Sequence, residues 1–124
     1  MVFFWLLIGA VVGAYVGITA YCKMNNPKKG EKTVMIVPVG PTAQYPILAE
    51  MVNRLNVSLK NVHFFNMDEY MITDRETISP EHPMSFEGRM YREFYSRVNP
   101  ELVMPKEQRL FPIPGKEADF DAWN

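Results

Sequence analysis

The sequence predicts an α/β fold, a partial Rossmann-like parallel sheet of βαβ units preceded by one N-terminal transmembrane helix. Three observations predict it: a charge-free apolar run over residues 2–22, two greasy strand-like runs that each end in a polar cluster, and helical spacing of the apolar residues between them. The length of 124 residues bounds the chain at about one domain, and 13 basic against 14 acidic residues leave no basic footprint for a nucleic-acid partner.

The charge is unevenly placed, because no Lys, Arg, Asp or Glu occurs before Lys23. Residues 2–22 are close to the roughly 20 residues a helix needs to cross a bilayer, so they read as a membrane span. Gly9, Gly13 and Gly17 recur on one face of that helix and would let a second copy approach closely, a homo-oligomer expectation. Lys23, Lys28, Lys29 and Lys32 follow the span and no basic residue precedes it, which places the remainder on the cytoplasmic side of the membrane. A cleaved signal peptide would want an early Lys or Arg. A misread start is the other competing reading, and it would leave a cytoplasmic protein. Cys22 is the only cysteine, so an intrachain disulfide is excluded, while its place beside the span would permit palmitoylation.

Residues 23–31, "KMNNPKKGE", lack hydrophobic periodicity and read as a polar linker to an α/β domain over residues 32–124. The run "TVMIVPV" is apolar on both alternating faces, as a strand buried on two sides would be, and Gly40 and Pro41 stop it. From Gln44 to Asn56, Ile47, Leu48, Met51, Val52 and Leu55 follow helical spacing, with Pro46 tolerable in the first turn. "VHFFNM" gives a second strand, and the whole unit of about 35 residues fits one βαβ crossover with parallel strands. A second helix is expected over residues 85–98, with Ser85 as its N-cap and Phe86, Met90, Tyr91, Phe94, Tyr95 and Val98 as its apolar stripe. "RLFPI" is a further short strand candidate.

In an open parallel sheet, ligands bind beyond the carboxyl ends of the strands. Gly40 and Thr42 follow the first strand and lead into a helix, where backbone N–H and hydroxyl can meet a phosphate. Asp68 follows the second strand, where its carboxylate can meet the reacting carbons of the same ligand. Taken singly, each cluster is more often a turn or a cap than a site; their pairing on neighbouring strand ends is what raises a site. His63 lies inside a strand and reads as a core residue, His82 as a loop-shaping one, and neither has a second His or a Cys at metal-ligand spacing.

The residues "FFNMDEY" followed by "EHPMSFEGRMYREFYSRV" resemble the glucosamine-6-phosphate deaminase (isomerase) family, the N-terminal half of it, within a superfamily that also holds 6-phosphogluconolactonases. The resemblance implies conversion of glucosamine 6-phosphate and water to fructose 6-phosphate and ammonia, with no cofactor. Asp68 would be the base that moves a proton between C1 and C2 of the sugar. Glu69 would hold a supporting, substrate-binding place, although strand alternation points it away from its neighbour. Two departures stand out. The family's P-[ST]-G-x-T-P loop is here Pro38, Val39, Gly40, Pro41, Thr42 and Ala43, where Val39 removes a hydroxyl and Pro41 a donor. The stretch "MITDRETISP" is longer than the family's connection, and would fit a different lid or substrate. The family's later G-x-D-G-H-I-A-F-N-E-P run, which carries the ring-opening histidine, does not occur, so an incomplete chain that is inactive alone is expected. A lactonase-like hydrolase and a non-catalytic, membrane-anchored sugar-phosphate-binding module are the alternatives.

Overall fold

A computed structural model describes residues 32–40 and 43–115. The expected span over residues 2–22, its glycine face, the linker and Thr42 lie outside the described residues. Among the described residues no helix is long and apolar enough to cross a membrane.

Strand β1 (Thr33–Val37) pairs in parallel with β2 (Val62–Asn66), and β2 pairs in parallel with β5 (Arg109–Leu110). The sheet order is therefore β1-β2-β5, with β2 in the middle. Helix α1 (Gln44–Arg54) makes the crossover, as its apolar spacing requires. It stops because Asn56 takes a left-handed φ of 51°, which lets its N–H reach Asn53 and the Val57 N–H reach Val52 at 3.0 Å. This double bond is the helix-ending arrangement that Asn tolerates better than other side chains with a Cβ.

Tyr45, Leu48, Ala49 and Val52 of α1 are buried against the sheet face that carries Phe64. Phe94 closes the same core, stacked on Phe64 at 5.6 Å and tilted against Tyr45 at 6.0 Å. Both helical segments thus cover one face of the sheet. On the other face Val34 and Ile36 stand 54% and 72% exposed, and His63 is covered through Gln108. The expectation that β1 is buried on both sides is therefore corrected: its apolar residues alternate, but only one side is packed within the described residues.

The second helix also departs from expectation. It is α-helical only over Phe86–Met90 (α2) and continues as a π-helical turn over Tyr91–Tyr95. The wider turn is closed by the Ser96 N–H onto the Tyr91 carbonyl at 3.1 Å, and adjacent Phe94 and Tyr95 are both buried in it. The stretch 71–77, read as an elongated connection, is a small antiparallel hairpin, β3 (Met71–Thr73) and β4 (Glu76–Thr77), lying apart from the main sheet. β5 follows a 3-10 turn over Lys106–Gln108, within the run expected to be a strand.

Candidate active site

The parallel register sets Val37 beside Asn66, so the chain leaves β1 and β2 at the same end of the sheet. The Met67 N–H carries the pairing one step further, onto the Val37 carbonyl at 3.1 Å. Asn66 is buried and donates its side-chain amide to the Leu110 carbonyl at 2.8 Å, which ties the third strand to the same end. Its Oδ1 and the buried Tyr95 hydroxyl make no hydrogen bond of good geometry among the described residues, although the Asn66 side chain acts on that hydroxyl electrostatically.

On the β1 side, Tyr45 donates its hydroxyl to the Pro38 carbonyl and so anchors the start of the loop. Val39 is wholly buried in the core. The hydroxyl that Val39 lacks would therefore point into the core rather than at a phosphate, which corrects the weight given to that departure. Gly40 is exposed, and a Cβ on it would meet no atom within 4 Å. Packing against the described residues does not require glycine here.

On the β2 side, Asp68 is exposed, and among the described residues no hydrogen bond or ion pair engages its carboxylate. Its neighbour is placed very differently. Glu69 Oε1 accepts from the backbone N–H of Tyr70 at 2.8 Å and of Phe86 at 2.9 Å. Glu69 Oε2 accepts from the Glu87 N–H at 2.7 Å and from the Ser85 hydroxyl at 3.0 Å. Those four bonds account for the roughly four acceptor positions a carboxylate has.

Ser85 is fully buried and caps α2 as expected, its Oγ accepting from Gly88 N–H at 3.0 Å. With Glu69 taking Phe86 and Glu87, the first three N–H groups of the helix are all satisfied by side chains. An anionic carboxylate is also favoured there by the positive end of the helix dipole. His82 shapes the approach to this cap: its Nδ1 accepts from Met84 N–H at 3.1 Å and its carbonyl from Ser85 N–H at 3.0 Å. The Tyr70 ring rests on Phe86, centroids 4.9 Å apart.

His63 is buried in β2, with Nε2 2.7 Å from the Gln108 amide nitrogen. That contact makes Nε2 the acceptor and leaves the proton on Nδ1. Burial and the nearby Lys32 cation lower its pKa, opposed by the backbone at Thr33 and Asn61. Its place in the sheet core is the one expected. Among the described residues no three His, Cys, Asp or Glu side chains gather as a metal site.

Among the described residues, the exposed Asp68 carboxylate thus stands unengaged at the sheet end where β1 also leads to Gly40. The Ser85 cap was legible in the sequence, whereas what Glu69 holds was not. Its partners lie 16 to 18 residues away, beyond the reach of local spacing.

No family model matches the chain. It is 31% identical over 107 residues to the glucosamine-6-phosphate deaminase of Bacteroides fragilis, covering 85% of this chain and 36% of that protein. It is 34% identical over 99 residues to the glucosamine-6-phosphate deaminase of Cronobacter sakazakii, covering 78% of this chain and 34% of that one. Its fold is similar to that of a monomeric glucosamine-6-phosphate deaminase of the NagB superfamily, with a TM-score of 0.64, 20% identity, and coverage of 91% of this chain and 44% of the other. The chain is related in sequence to glucosamine-6-phosphate deaminases and spans about a third of the length of the curated relatives it matches.

Proposed function

We propose that this chain is the part of a glucosamine-6-phosphate deaminase that carries the proton-transferring base, and that Asp68 is that base. The observation that carries the reading is the exposed, unengaged Asp68 carboxylate at the shared end of β1 and β2, within a stretch related to deaminases. On the open-chain sugar phosphate, Asp68 takes the proton from C2. The C2–H electron pair becomes the C1–C2 double bond as the C1=O π pair moves onto O1, which takes a proton from water. The proton held by Asp68 is then returned to C1 on the C1–C2 pair, while the amine lone pair forms the iminium at C2. A positioned carboxylate of this kind contributes roughly 10²–10⁴-fold. The ligand's phosphate is assigned to Gly40 and Thr42, which follow β1 in the sequence. Ring opening and ammonia release call for further acid and base groups beyond Asp68, so the chain unaided binds sugar phosphate and does not complete turnover.

The test has two parts. Isothermal titration of the chain with glucosamine 6-phosphate and fructose 6-phosphate should show binding that Asp68→Asn leaves largely intact. In D₂O, fructose 6-phosphate should exchange a C1 proton in the presence of the parent chain and not of Asp68→Asn. Equal exchange by both proteins would sink the assignment of the base.

We also propose that residues 2–22 hold the protein at the cytoplasmic face of a membrane. The charge-free run and the lysines after it support this reading. The protein should then stay in the membrane pellet through high salt and alkaline wash, and release by either treatment would overturn it.

A further inference from the structure

We propose that Glu69 is a positioning residue, one that clamps the 67–70 loop to the start of α2 and thereby fixes where the Asp68 carboxylate points. As an inference about catalysis it rests on the reading of Asp68 as the base.

Residue 68 is bracketed by tied neighbours on both sides. Before it, Met67 is held to β1 by its N–H bond to the Val37 carbonyl at 3.1 Å. After it, Glu69 is held by the four bonds to its carboxylate, and three of the donors, from Ser85, Phe86 and Glu87, belong to another segment of the chain. One residue further, the Tyr70 carbonyl accepts from Ile78 N–H at 2.8 Å and the Tyr70 ring packs on Phe86. Asp68 is thus the one residue of 67–70 with no tie of its own, strung between tied neighbours. Its backbone direction is set by theirs, and only its side-chain torsions stay free.

The clamp is charge-assisted at every contact, so it is stronger than the same number of neutral bonds. It is also placed where a proton-transfer site needs stiffness, since misplacement of a reacting group by about 1 Å can cost about 10²-fold in rate. A substrate contact from Glu69 would have to displace one of the four donors already present. The geometry therefore assigns Glu69 to the chain and leaves Asp68 to the ligand.

The test uses the full chain with ¹³C-labelled aspartate and backbone amide exchange, comparing the parent with Glu69→Gln. A Gln amide cannot accept on its nitrogen side, so two of the four bonds are lost. The amide of Phe86 or of Glu87, whichever meets the new NH₂ group, should exchange about tenfold faster or more. The Asp68 carboxyl resonance should move and broaden, while Phe64 and Phe65 amides in β2 stay within about twofold of the parent. Unchanged exchange at residues 86 and 87 with an unchanged Asp68 resonance would overturn the proposal. So would equal acceleration in β2, which would make Glu69 a general support of the fold. Should Glu69→Gln fail to fold, Ser85→Ala removes one contact without enlarging a buried side chain. It should shift the Asp68 resonance in the same direction by less, and an unmoved resonance would again overturn the clamp. Failure of the deaminase reading appears elsewhere, as absence of sugar-phosphate binding by the parent, and leaves these spectra unaffected.

Discussion

Gly88 lies so close beneath the Pro80 carbonyl that a Cβ on it would stand 1.9 Å from the oxygen. The glycine lets the 80–85 loop settle directly on the helix that Ser85 caps. In an open helix, Gly→Ala would stabilise by about 0.8–1 kcal/mol. Here the obstacle is backbone, which cannot swing aside as a side chain can, and the overpacking cost of about 1–3 kcal/mol dominates. Gly88→Ala should lower the urea midpoint, and a raised midpoint would show that the loop yields.

Arg109 joins the last strand to the aromatic wall. Its Nε and Nη2 donate to the Met104 carbonyl at 3.1 and 2.7 Å, and its guanidinium lies 4.6 Å from the Tyr95 ring centroid and 5.6 Å from that of Tyr91. A lysine has no planar fork and cannot reproduce both roles. Arg109→Lys should destabilise by about 1–2 kcal/mol, read as a thermal midpoint several degrees lower.

His63 makes stability depend on mildly acid pH. Its folded pKa is lowered by burial and by Lys32, so below about 6.5 the unfolded chain takes up a proton that the folded chain refuses. Stability from this group is therefore present above pH 6.5 and is lost as pH falls from there to the lowered value. Urea midpoints of the parent should drop between pH 7 and pH 5.5, and His63→Gln should show a shallower drop. Parallel curves would remove His63 as the cause.

Tyr95 acts at the opposite end of the scale. Burial raises its hydroxyl pKa well past the ordinary tyrosine range, with the Asn66 side chain and the Arg109 cation opposing the shift. Above about pH 10 the unfolded chain loses a proton that the folded chain keeps, so stability falls as pH rises. Tyr95→Phe should flatten that alkaline fall. At pH 7 it should cost no more than the hydroxyl's contact with the Asn66 side chain, about 0.5–1.5 kcal/mol.

Much of the frame was legible in the sequence, because β1 and β2 are short β-branched or aromatic runs bounded by turn residues and α1 has helical apolar spacing. The π-helical turn was not. Over the five residues Tyr91–Tyr95, an apolar pattern cannot separate an α turn from a wider one. Nor did the sequence reveal that Val34 and Ile36 face away from the helices, since a strand with apolar residues on both faces reads the same whether or not its second face is covered. The site divides in the same way. The places of Asp68 and Gly40 just beyond β2 and β1 were legible from where the apolar runs end. Glu69 was rightly turned away from Asp68 by alternation, yet its destination at Ser85, Phe86 and Glu87 is a tertiary contact that no local rule specifies.

The place of β2 between β1 and β5 has a consequence for how the protein is made. While the chain emerges from the ribosome, β1 and β2 can pair once Asn66 has cleared the tunnel. The Asn66 amide then waits for the Leu110 carbonyl, 44 residues later. At synthesis rates of about 5–20 residues per second, the interval is about 2–9 s. Throughout it, one edge of the strand that leads to Asp68 is open to other extended chains, so the nascent protein is most exposed to mispairing while its candidate site is half built.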